Sequence, residues 1–126
     1  MAKVEWKDEP EEHDYPAAEA YLSLLLPPGA VAATLASLRD SPVIQRKAKD
    51  ILRASGLPLL GPNNTHVAAD LQKVEKGNKL SPVLLIRGDA RTGAPLQIAD
   101  GYHRVCATYH VDENTDIPCK IASMSQ

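Results

Sequence analysis

The sequence has no phenylalanine, and aromatic residues make up only 4% of its 126 positions. Its core must therefore be built from Leu, Val, Ile and Ala. It has only two cysteines, Cys106 and Cys119. That pair fits neither a disulfide framework nor a zinc cluster. No apolar run reaches the roughly 18–20 residues that a membrane helix needs. The start of the chain is acidic and polar, without the basic-then-apolar pattern of a signal peptide or the basic pattern of a transit peptide. These absences predict a cytoplasmic chain with reduced thiols and no membrane partner.

Long uninterrupted elements are also in short supply. Ten prolines divide the chain into short segments, because proline removes a backbone donor and breaks helix interiors. What is present suits a globular domain. Hydrophobic residues make up 44%, and the length is that of one ordinary domain.

The net charge of −2 conceals an asymmetry. Residues 1–14 hold six acids (Glu5, Asp8, Glu9, Glu11, Glu12 and Asp14) against Lys3 and Lys7. The remainder is slightly basic. The acidic stretch reads as a flexible, solvated arm, with a cover over a basic site as the functional alternative.

Beyond the arm, residues 15–56 read as a helical extension. Tyr15 to Leu26 has helix-forming composition and stops at Pro27-Pro28-Gly29. Val31, Leu35 and Leu38 repeat at helical spacing. Ser41-Pro42 reads as the N-cap and first position of a third helix running to about Ser55, closed by Gly56. Its apolar side is Val43, Ile44, Ala48, Ile51 and Leu52; its polar side carries Arg46, Lys47, Lys49 and Arg53. Four bases on one helix face can contact nucleic-acid phosphates, although they serve equally as a solvated surface.

Residues 57–126 read as an α+β domain with a small mixed sheet. Leu57 to Leu60 is a candidate edge strand, and Asn63-Asn64 is a turn. Thr65 to Glu75 is a helix with Val67, Leu71 and Val74 on one face. Pro82 to Ile86 and Leu96 to Ala99 are strands joined by a glycine-containing loop. Tyr102 to His110 is a helix, and Ile117 to Ala122 is a last strand whose Pro118 points to an edge.

The segment with the most chemistry is the junction Asp100-Gly101-Tyr102-His103-Arg104. A strand ends, a glycine turns the chain, and a helix starts. The first turn of a helix offers free N–H groups and a partial positive potential. Arg104 adds a fork of donors suited to phosphate, His103 a donor or proton carrier, and Gly101 room for close approach. Such a site takes an anion, usually phosphate. Asp100 either caps the helix or orients His103 or a metal-bound ligand. The same junction serves equally as an ordinary corner with a surface His-Arg pair.

Asn63 to Ala122 resembles the ParB/sulfiredoxin-like superfamily. The features come in family order: Asn63-Asn64 before a helix, Val74 to Gly77, the Leu80 to Ile86 strand, Asp100 to Arg104 with Ala107, and the Ile117 to Ile121 strand. The resemblance implies a nucleotide-phosphate site made by Gly101, His103, Arg104 and the backbone N–H of Tyr102. The nucleotide would be ATP, ADP or CTP, with or without magnesium; a phosphorylated small molecule is the alternative ligand. Sulfiredoxins carry their reactive cysteine where Tyr102 stands, so that activity is not expected. Partition proteins carry a DNA-reading module after this domain, and few residues follow Ala122.

Free serine kinases in the superfamily share the turn, which leaves a small-molecule phosphotransferase as an alternative function. Its base would be Asp100, Asp70 or Glu75, with Asp100 and His103 as the catalytic candidates. A nucleic-acid or protein interaction module is the third alternative, and a homo-oligomer is left open. His66 reads as a cap or surface residue, His110 as a cation at a helix C-terminus, and both cysteines as core residues.

Overall fold

A computed structural model describes residues 3–124. The first two residues of the expected arm and the last two of the expected domain lie outside them. Among the described residues the order is α1 (Asp14–Leu22), α2 (Pro28–Asp40), β1 (Ile44–Lys47), α3 (Ala48–Ser55), α4 (Thr65–Glu75), β2 (Val83–Ile86), β3 (Gln97–Asp100), α5 (Tyr102–Val111) and β4 (Asp116–Ala122). The strands form one sheet in the order β1-β4-β2-β3. The central β2–β4 pair is parallel, and both outer pairs are antiparallel. The α+β class with a small mixed sheet is therefore the observed one.

Side-chain alternation along the strands builds a core on each face. Val83, Leu85, Ile117 and Cys119 pack against Ala48, Ile51 and Leu52 of α3, Val67 of α4, and Val105 and Cys106 of α5. Leu84, Ile86, Ala99 and Ala122 face the other way, against Tyr15, Ala18 and Leu22 of α1 and Val31 and Leu38 of α2. Both faces of the sheet are covered, so β2 is buried along its whole length. That explains its continuous apolar run.

The expected division at residue 56 does not separate two bodies. Residues 15–56 supply one layer of helices and one strand of the sheet. Leu22, Leu38, Leu84 and Ile86 are all fully buried at this contact, and burial of each contributes roughly 1.5–3 kcal/mol.

The third helix is shorter than its capping signal suggested. Ser41 does not cap forward; its hydroxyl donates back to the Ser37 carbonyl at 2.7 Å, at the end of α2. Ile44 to Lys47 then pair with Cys119 to Asp116, so Arg46 and Lys47 sit on a strand. Only Ala48 to Ser55 are helical, and Gly56 ends α3 as expected.

Leu57 to Leu60 form no strand. Two side chains of α5 hold this segment instead: the Tyr102 hydroxyl donates to the Pro58 carbonyl, and His110 Nε2 lies 2.8 Å from the Leu60 carbonyl. Pro118 is not on an edge, because β4 is interior. Continuing the β2–β4 register places Pro118 level with Pro82, just before β2 begins. On its other side it stands opposite Gln45 of β1.

The acidic stretch is not a free arm over its described length. Lys7 N donates to the Leu80 carbonyl at 2.8 Å, and Leu80 N donates to the Glu5 carbonyl at 2.9 Å. Val4 is buried with Val74 and Leu80, and Trp6 packs beside them. Asp14 is only 2% exposed. Trp6 is the single tryptophan, so its fluorescence reports on this segment alone. In urea its transition is expected to coincide with that of far-ultraviolet circular dichroism, as two-state unfolding requires. An earlier fluorescence transition would show that the segment undocks by itself.

Candidate functional site

α4, the end of β3 and the start of α5 meet around a hollow of about 230 Å³, lined by His66, Asp70, Lys73, Asp100, His103 and Arg104, with Gly101 at its base. Asn64 caps α4, its side-chain oxygen accepting from His66 N at 3.0 Å and Val67 N at 3.2 Å. This sets the helix register. His66, Asp70 and Lys73 then fall at i, i+4 and i+7, on one face. β3 ends at Asp100 because Gly101, at φ +110°, turns the chain into α5. No side chain caps α5, so its first-turn N–H groups have no side-chain acceptor.

Asp100 is therefore not the cap. Its Oδ2 accepts from Arg104 Nη2 at 2.9 Å, and it also meets the buried Asp14 carboxyl from α1. Burial raises the Asp100 carboxyl above its ordinary range and Asp14 adds to this, while Arg104 pulls the other way. Arg104 Nη2 also lies 3.4 Å from the Pro82 carbonyl. Arg104 thus ties the end of β3 to the approach to β2 and still borders the hollow.

Asp70 stands in the hollow, 3.8 Å from Lys73 Nζ. Burial raises its carboxyl, opposed by Lys73, Arg104, His103 and His66. The His66 and His103 rings are 4.7 Å apart and tilted by 43°. Burial, followed by the neighbouring His66, holds the His103 imidazole below its usual pKa. The Tyr102 ring lies 5.7 Å from His103, but its hydroxyl turns away to Pro58. Tyr102 contributes backbone to this corner.

The chain matches no family model, no curated protein and no solved structure. The site therefore rests on its own geometry.

That geometry brings together Asp100, Gly101, His103 and Arg104, and adds three residues from α4. Of these, Asp70 was a candidate base in the sequence, His66 read as a cap or surface residue, and Lys73 gave no functional signal. Their i, i+4, i+7 spacing, ending in a basic residue, was the available clue. Glu75 is exposed and does not line the hollow. Cys106 and Cys119 are fully buried core residues, and burial pushes the Cys119 thiol up to about 11. A buried thiol of that kind is a poor nucleophile.

Two other surfaces fit a ligand anion less well. A larger hollow of about 630 Å³ lies beside Trp6, but the helix end that reaches it is Val111 and Asp112, the C-terminus of α5. That pole disfavours an anion. The expected basic helix face is also divided. Arg46 and Lys47 lie on β1, Lys47 pairs with Asp116 at 3.1 Å, and Lys49 and Arg53 share Asp50 at 3.1 and 3.6 Å. Among the described residues no helix is long and apolar enough to cross a membrane.

Proposed function

We propose that this chain is a ParB/sulfiredoxin-like protein that binds a phosphate group at the start of α5, carried by ATP, ADP or CTP or by a phosphorylated small molecule. The observation that carries this reading is convergence. Lys73, His66, His103 and Arg104 border one hollow, into which an uncapped helix start opens. Arg104 Nε, buried without a hydrogen-bond partner, is a donor short of an acceptor beside it. The run of α4, β2, hairpin, β3, α5 and β4 supports the superfamily reading. The hollow measures about 230 Å³, while pockets that enclose a drug-sized ligand run roughly 300–1,000 Å³. It suits a phosphate head, with the nucleoside lying along the rim. Among the described residues no group of three or more His, Cys, Asp or Glu could hold a metal ion. Magnesium, where the nucleotide brings it, is held by the phosphates.

Titration calorimetry with ATP, ADP and CTP, each with magnesium, tests this. At least one is expected to bind. Lys73→Ala and His103→Ala are each expected to weaken that binding about tenfold or more, the size of a charge-assisted hydrogen bond. If none of the three binds, the reading fails.

The place of Asp70 favours a second reading, the small-molecule phosphotransferase. Asp100 is held by Arg104, whereas Asp70 lines the hollow with its carboxyl raised by burial, toward the range in which a general base works. Phosphorus NMR of hydroxylated metabolites mixed with ATP or ADP separates turnover from binding alone.

A further inference from the structure

The charged side chains that line the hollow are two acids and two bases, and the buried Asp14 stands against one of the acids, Asp100. Asp70 faces Lys73 at 3.8 Å, and Asp100 faces Arg104 at 2.9 Å. A phosphate ester is close to a dianion at neutral pH, since its second ionisation lies near about 6. Two negative charges placed among two balanced pairs leave the site short of positive charge. The imidazole of His103 can gain one. The His66 ring lies 4.7 Å from it and opposes its charged form.

We propose that the hollow takes up one proton together with its phosphate, and that His103 is the group that accepts it. This rests on the phosphate-binding reading above. His103 is the better placed of the two histidines. It is half-buried in the first turn of α5, whereas His66 is exposed. Asp70 of α4 favours its imidazolium, while Arg104 on its own helix and His66 oppose it. Lys73 of α4 and Asp100 of β3 complete the charged wall. Burial, followed by His66, holds the His103 pKa below its usual value, which favours the neutral imidazole at neutral pH. An arriving dianion reverses the balance, because the imidazolium then has a partner that outweighs His66 and Arg104.

The sign follows. Binding raises the pKa of His103. Affinity for the dianion therefore falls as pH climbs from the free toward the bound value, by up to about tenfold per unit for one proton.

ADP without added metal is the probe, titrated at about pH 8, where its own phosphate has already lost its protons. Parallel titrations in buffers of low and high ionisation heat are expected to differ by the heat of the protons taken up, no more than one per ADP. His103→Gln removes that difference and leaves an affinity flat in pH. ADP binding with no buffer dependence overturns proton uptake and leaves phosphate binding standing. Uptake that survives in His103→Gln overturns the assignment to His103. If ADP does not bind, ATP and CTP are titrated in the same way, and failure of all three overturns the phosphate reading and this inference with it.

Discussion

Gly101→Ala lowers the unfolding free energy by about 2–5 kcal/mol, measured by urea denaturation, and takes the proposed phosphate binding with it. Two effects add. At φ +110° an L side chain is strained by roughly 1–2 kcal/mol. The new Cβ also stands 2.4 Å from Val83 Cγ1, 2.8 Å from Val83 Cβ and 2.9 Å from Arg104 Nη2. Val83 is fully buried in the sheet and has nowhere to go, and overpacking of this kind costs about 1–3 kcal/mol. Gly77 supplies the control. It has φ +74° but nothing within 4 Å of its added Cβ, so Gly77→Ala carries the strain alone, about 1–2 kcal/mol. Equal losses at the two glycines would remove the packing part of the argument.

The Gly101 corner was legible in the sequence because everything that makes it is local. A strand pattern, a glycine and a helix pattern follow one another within a few residues, and α4, β2, β3 and α5 were all visible in this way. The misses share a different cause. Ser41-Pro42 looked like a helix start, and Val43, Ile44 and Ala48 continued a helical period. The segment is a strand because Ile44 and Lys47 find Cys119 and Asp116, about seventy residues on. Pairing outweighed a weak local preference. Pro118 looked like an edge residue because sequence carries no information on strand order. It lies inside the sheet, opposite Gln45 of β1 and level with a residue that precedes β2. The acidic stretch was judged by its charge, which masked the two residues that dock it, Val4 and Trp6.

The site divided along the same line. Asp100, Gly101, His103 and Arg104 were found by adjacency. His66, Asp70 and Lys73 come from another helix, and only packing of α4 on α5 brings them opposite. Asp14 is the most distant contributor. An acid in an acidic stretch gave no hint that it would be buried against Asp100.

That buried acid sets the largest effect expected of any charge removal. Arg104 pairs with Asp100 of β3, which also meets the Asp14 carboxyl of α1. Its side chain is 16% exposed, and that of Asp100 is 15% exposed, so solvent screens the pair only partly. Arg104→Met keeps much of the bulk and leaves Asp100 facing Asp14 without a counter-charge. The expected cost at neutral pH is about 3 kcal/mol, the lower end for truncating one member of a buried pair. The loss depends on pH in a defined direction. Burial, with Asp14, already raises the Asp100 carboxyl, and Arg104 is what lowers it. Without Arg104 the carboxyl rises further. The folded variant then holds a proton that the unfolded chain releases, so its stability falls as pH rises from the unfolded value toward the raised folded one. Urea denaturation is therefore expected to show a smaller deficit for Arg104→Met at about pH 5 than at about pH 8. The double variant Asp14→Asn, Arg104→Met should recover part of the loss at the higher pH, because an amide can donate to Asp100 where a carboxylate repels it. A deficit unchanged by pH and unrelieved by Asp14→Asn would mean that Arg104 stabilises the corner by packing rather than by charge.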